Sequence, residues 1–342
     1  MGSTVPEAAF LSMVKQYAYI KIDVTNNDSS AYTAAPVFAD IPQEQIQALG
    51  CPFSQMRLED SNGNPVTFWP DGNGANPVYP GYYSIWFKVD LPASGTVSLK
   101  LYCDPDNPTY TANATDVVTL YYDLSDSSQL RYMDPHSTID TNLYVDPPGS
   151  LWQMKSTDQV TNAAATNGVN IQYADIFILK INWLMKNAGS GHIPGTRDVV
   201  NGNDSWAGPY VWFGGTSPWV DYGTNIGYYD TTYRTLGQYQ ANGQWHRVLL
   251  HARAADQNFD LYYDSTQLGS NLSFIQGYNP FTPDADIYLE LTEVAHDTPD
   301  TSDNHIDSIV FVAVPYSTLP SVSTSLAIAK DASCLARPLS TF

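Results

Sequence analysis

The sequence predicts an all-β protein: two antiparallel β-sandwiches (jelly-roll-like) in series, ending in an extended C-terminal arm. Three observations carry this. Several stretches alternate apolar and polar residues with a period of two, the signature of half-buried strands. Tyr stands at 24 of 342 residues while charged residues make up only 15%, and a Tyr- and β-branched-rich mixture suits a pleated surface. Gly, Pro, Asn and Asp clusters punctuate the runs at short spacing, as turns between sandwich strands do.

Residues 6–16, PEAAFLSMVKQ, read as a short helix within an N-terminal segment 1–16. In YAYIKIDV, Ala18, Ile20, Ile22 and Val24 share one face, with Tyr19, Lys21 and Asp23 on the other. SIWFKVDL repeats the pattern with Ile85, Phe87, Val89 and Leu91 inward, and TVSLKLYC with Val97, Leu99, Leu101 and Cys103 inward. The turn sequence PASG between these two predicts a hairpin. Cys103 is in phase with the core face, so it is either a buried thiol or the partner of Cys51, leaving Cys334 over. Residues 121–170 show no firm periodicity. ADIFILKINWLM (174–185) is apolar on both faces, as a central sandwich strand is. WHRVLLHARA (245–254), NFDLYYD (258–264), DIYLELTEV (286–294) and HIDSIVFVAV (305–314) continue the strand series. The expected division is 1–16, a first sandwich over 17–120, a second over 121–318, and an arm over 319–342 that can pair with a neighbouring subunit's sheet edge.

The stretches YIKIDVTNN, SQMRLEDSNGNPVTFWP and YSIWFKVDLPASGTVSLKLYCDPDNP together resemble an uncharacterised β-domain family of archaeal and bacterial surface proteins, over residues 17–120. Asp60-Ser61-Asn62-Gly63 stands at that family's turn and Trp86, Lys88 and Val89 in its tryptophan strand; CDPDN departs from the family's usual Y-G-N ending. Residues 121–318 are similar to the concanavalin A-like (laminin G-like) sandwich through GQWHRVLLHARAADQNFDLYYDSTQL and HIDSIVFVAV, with Asp264-Ser265 in place of Asp-Gly. The second resemblance implies a fold that hosts lectins and glucanases, with calcium sites common at its rim. Fold alone carries no chemistry.

The formal charge of −20 argues against nucleic acid, because phosphate binding needs a basic face, and disfavours adsorption to an anionic membrane. No run of 18 or more apolar residues is present, so no membrane span is expected. The opening residues lack a secretory signal's basic and apolar regions, which is compatible with a removed signal, a cytoplasmic protein or a virion component. Sequons at Asn27, Asn113, Asn203 and Asn271 give mild support for an exported chain.

Retaining glycoside hydrolysis needs two carboxyls about 5 Å apart. Glu290 and Glu293 are the nearest pair, but residues three apart on a strand point to opposite faces. No nucleophile elbow, zinc motif or phosphate loop is present, and His246 beside Trp245 reads as structural. The aromatic segment 203–233 offers Trp206, Trp212, Trp219, Tyr222 and Tyr228 as candidate glycan-stacking rings; the alternative is that they fill a core or an interface. HDTPDTSDNHIDS (296–308) offers Asp297, Asp300 and Asp303 as calcium ligands, or as a solvated turn. These features lead to an expected non-enzymatic, surface-exposed structural or adhesive protein of a virion, filament or cell envelope, contacting glycans. The alternatives are a carbohydrate-binding module and, after it, a polysaccharide hydrolase. The expected location is extracellular or on a virion surface, and the expected partners are further copies of the chain, other envelope or capsid proteins, and glycans.

Overall fold

The computed structural model describes residues 18–153, 163–185, 190–193, 197–200, 203–214, 223–275, 281, 283, 287–295 and 304–328. The strands form four sheets, all of whose strand pairs are antiparallel. Sheet I runs Ser321–Ile328, Ala18–Thr25, Thr96–Cys103, Met56–Asp60, Pro65–Val66; sheet II runs Tyr32–Pro42, Tyr82–Leu91, Phe68–Pro70. Sheet III has eight strands and is centred on Trp245–Arg253, Ile176–Met185 and Asn304–Ala313; sheet IV, also of eight, is centred on Ile287–Ala295, Ser190–Ile193 and Val211–Gly214.

The period-two runs place the core between sheets I and II. Ile20, Ile22 and Val24 of sheet I are fully buried with Val37, Ala39, Ile41, Ile85 and Phe87 of sheet II. The same cluster continues through Ile178, Leu249, Val310 and Val312 of sheet III. A second core between sheets III and IV joins Phe177, Leu179, Leu250 and Phe311 to Val211, Phe213, Leu289 and Leu291. Sheet III is thus buried on both faces, which is why 174–185 carries apolar residues at both parities.

The expected hairpin across PASG is corrected by the structure. Tyr82–Leu91 pairs with Tyr32–Pro42 in sheet II, whereas Thr96–Cys103 pairs with Ala18–Thr25 in sheet I. The turn arches between facing sheets. Alternating patterns look the same in either arrangement, because both put one face of each strand inward. Cys51 and Cys103 are disulfide-bonded, with Cα atoms 6.2 Å apart. The short α-helix Gln43–Leu49 leads into that bridge and ends at Gly50 in the left-handed region at φ 73°, which a residue without Cβ adopts freely. Residues 321–328 of the arm pair along their whole length with Ala18–Thr25, Ala18 opposite Ile328 and Thr25 opposite Ser321. The arm expected to reach a neighbour's sheet edge closes onto its own first strand. The unphased region around 121–170 holds three- to eight-residue strands at 120–122, 138–140, 150–153 and 163–170, mostly too short to show a period. The helix expected over 6–16 and Cys334 lie outside the described residues.

Candidate functional site

A cleft of about 890 Å³ opens where sheet II meets the outer part of sheet III. Its floor is made by two adjacent strands. On Trp245–Arg253, Val248, Leu250 and Ala252 enter the sheet III–IV core, so Arg247, Leu249, His251 and Arg253 take the opposite face. On Asn258–Tyr263, Phe259 and Leu261 enter that core, which leaves Asn258, Asp260 and Tyr262 directly across from Arg253, His251 and Leu249. Val37, Phe38 and Asp40 of sheet II form one wall and the segment 316–322 another.

The polar groups of the floor are held by one another. Both terminal nitrogens of Arg253 donate to Asp260, at 2.9 Å each, and its Nε donates to Asn258 Oδ1 at 2.6 Å. Paired N–H···O bonds of this kind fix the plane of both groups. Burial alone would raise the Asp260 carboxyl, but hydrogen bonds from His251, Arg253 and the Asn271 amide hold it below the usual carboxylate range. Arg247, 3% exposed, donates to Asp40 at 2.6 Å and to the Asp264 carbonyl, and its guanidinium lies over the rings of Phe38 and Tyr79 at 5.3 and 4.7 Å. Asp40 also accepts from Ser84 Oγ at 2.6 Å and Tyr79 at 3.1 Å. The 316–322 wall is tied down by Asp28, which accepts from the Ser317 amide at 2.9 Å, and by Asn27, which donates to the Leu319 carbonyl at 2.7 Å. At the rim, Ser265, Gln267 and Ser270 are exposed. The arrangement is a set of fixed donors and acceptors beside half-buried Phe38 and Tyr262, suited to a ligand with many hydroxyl groups.

The residues singled out from sequence lie elsewhere. Trp212 is fully buried, clustered with Tyr210 and Ile275, so it offers no face to a solvent-borne sugar. Tyr228 packs edge-on against Phe259 at 6.2 Å, beside the sheet III–IV core. Trp206 ends strand Asn203–Trp206. Trp219 and Tyr222 lie outside the described residues, as do Asp297, Asp300 and Asp303. Among the described residues no group of three His, Cys, Asp or Glu side chains could hold a metal ion. His246, expected to be structural, pairs through Nδ1 with Asp264 Oδ2 at 2.9 Å, beside the 263–266 turn. Glu290 is buried at 5% exposure. The cleft residues were missed although one signal was available: Arg247, His251 and Arg253 alternate onto one face of their run, as Asn258, Asp260 and Tyr262 do on the next, an unusually polar pair of faces for two inner strands.

No family model matches the chain, and no curated protein does. The resemblance of residues 17–120 to a surface-protein family therefore finds no support there. Among solved structures the chain is similar to a sialidase (13% identity, TM-score 0.39, 65% of this chain and 20% of that one). It is also similar to the lectin UEA-II complexed with galactose (14%, TM-score 0.37, 57% and 98%) and to Trypanosoma rangeli sialidase in complex with sialic acid (12%, TM-score 0.37, 69% and 41%). The chain spans a fifth of the first sialidase's length. These are weak likenesses of β-sandwich architecture. They correct one expectation: enzymes stand among the similar structures, so a non-enzymatic chain does not follow from the fold. No helix among the described residues is long and apolar enough to cross a membrane.

Proposed function

We propose that the chain binds glycans in the cleft between sheets II and III, and that it is displayed outside the cytoplasm, on a cell envelope, filament or virion. The observation that supports binding is the cleft floor. Arg253, Asp260 and Asn258 are locked together, while Tyr262 and Phe38 line the same cleft with exposed Gln267 and Ser270 at its rim. Sugars are recognised by such combinations of ring surface and prepositioned hydrogen-bonding groups, whose ordering cost is already met before the ligand arrives. The Cys51–Cys103 bridge supports display, because disulfides persist in oxidising compartments. A glycan array probed with the full chain tests the reading. Tyr262→Ala and Gln267→Ala are expected to weaken binding of any hit about tenfold or more, ~1.4 kcal/mol, measured where each variant is folded, with the melting temperature unchanged for the exposed Gln267 alone. An array without hits, or hits that both variants leave intact, overturns it.

A further inference from the structure

Away from the cleft, the sheet II–III contact encloses a cluster of charged groups that binding does not use. Lys180, at the middle of the apolar strand Ile176–Met185, is 1% exposed, and its Nζ contacts Asp71 Oδ2. Asp71 is also 1% exposed and stands directly after strand Phe68–Pro70 of sheet II. The indole N–H of Trp86 donates to the same Oδ2 at 3.4 Å, while Asp71 Oδ1 is buried with no hydrogen-bond partner. Two further buried carboxyls flank the pair. Asp307 lies on the Lys180 side of sheet III, two positions along the ladder at Asn182, and accepts backbone N–H bonds from Val145 (2.6 Å), Asp146 (2.9 Å) and Ser308 (2.6 Å). Asp146 accepts from Tyr121 and, at 3.0 Å, from Asn73.

An ion pair explains this site poorly. Asp71 and Asp307 pull on the lysine while the Arg247 guanidinium opposes its charge, and an ionised Asp71 would leave one buried oxygen without a protein donor, at a cost on the scale of a lost buried hydrogen bond. Burial also lowers the Lys180 amine, against the pull of Asp71 and Asp307, and pushes the Asp307 carboxyl up. A buried amine held in contact with a buried carboxyl is the arrangement that condensation requires.

We propose that Lys180 and Asp71 are joined by an intramolecular isopeptide bond, Nζ to Cγ, tying the first sandwich to the central sheet of the second. The proton of the Lys180 ammonium passes to the Asp71 carboxylate, leaving a neutral amine and a neutral acid. The Nζ lone pair attacks Cγ, forming the C–N bond. Asp307 relays an amine proton to the Asp71 hydroxyl, whose C–O bond breaks, and one water leaves. An amine and an acid become an amide and water, with no oxidant and no cofactor. The oxygen lost corresponds to the one that has no donor.

Mass spectrometry of the full chain, with the disulfide reduced, decides the matter. The expected result is a mass one water below that of the sequence, together with a branched peptide joining the segments around Asp71 and Lys180. Asp71 precedes Gly72, and a succinimide at that pair would also lack one water, but it needs no lysine and yields no branched peptide. Lys180→Met is expected to restore the full mass, and Asp307→Asn to leave most of the chain uncondensed. A native chain of full mass, or a deficit that persists in Lys180→Met without a branched peptide, overturns the proposal; the native measurement stands whether or not the variants fold.

Discussion

On strand Trp245–Arg253, Val248, Leu250 and Ala252 face sheet IV, while on the opposite face Arg247 reaches Asp40 of sheet II and His251 and Arg253 meet the 316–317 segment. The neighbouring strand Ile176–Met185 behaves alike. Phe177, Leu179, Ile181 and Trp183 enter the sheet III–IV core, and Lys180 takes the other face among Ile178 and Asn182. One sheet therefore carries an apolar face and a face of mixed polarity, and both are buried. The difference teaches what each does. The apolar face gains free energy wherever its side chains interdigitate. The mixed face gains little net energy from its ion pairs, but the Arg247–Asp40 pair, which crosses to sheet II, is satisfied in one docking position only, so it helps set where the first sandwich sits and what shape the cleft takes.

The sharpest test of this contrast deletes mass from the apolar face. Phe311→Ala is expected to cost about 3–5 kcal/mol in denaturant unfolding, through lost burial and the cavity left behind, while leaving ligand binding at low temperature intact. A loss below about 1 kcal/mol would mean that this core is loosely packed.

The mixed face is expected to answer to pH with two opposite signs. Burial raises the Asp146 carboxyl from 3.8 to about 6, against hydrogen bonds from Tyr121 and Asn73. Between those values the folded chain holds a proton that the unfolded chain has released, so stability falls by roughly 2–3 kcal/mol as pH rises from about 4 to about 6. Asp146→Asn is expected to flatten that slope in melting curves; an unchanged slope assigns the titration to another group. Asp260 is shifted the other way. Its contribution is present above the ordinary carboxylate value and is lost as pH falls through its lowered folded-state value. Asp260→Asn is therefore expected to cost about 1–3 kcal/mol at neutral pH, with the gap to the native chain closing in strong acid. A gap independent of pH would show that the side chain acts by packing.

Much of the fold was legible in the sequence because it depends on local alternation. The runs beginning at Ala18, Tyr82, Thr96, Ile176, Trp245 and Asn304 are all strands, and the both-faces-apolar run at 174–185 is the buried central one. Which sheet a strand joins was not legible, since inward parity says nothing about the partner; SIWFKVDL and TVSLKLYC show this directly. The candidate site was hidden for the same reason. Asp40 and Arg247 are 207 positions apart, and only the stacking of sheets II and III brings them together. The aromatic segment misled because large rings fill cores as readily as they stack on sugars, and Trp212 does the former. Lys180 was visible as one cation inside an otherwise apolar run, a signal the strand pattern overshadowed.

Strand Ser321–Ile328 lies on the outer side of Ala18–Thr25, and this has a consequence for biosynthesis. A ribosome delivers the first strand about 300 residues before the last, which at ~5–20 residues per second is a wait of roughly 15–60 s. Until then the earlier strand presents an open row of amide and carbonyl groups. The nascent chain therefore emerges with a vacancy on its first sheet, and whatever accompanies it from the ribosome must keep that edge from pairing with another growing chain.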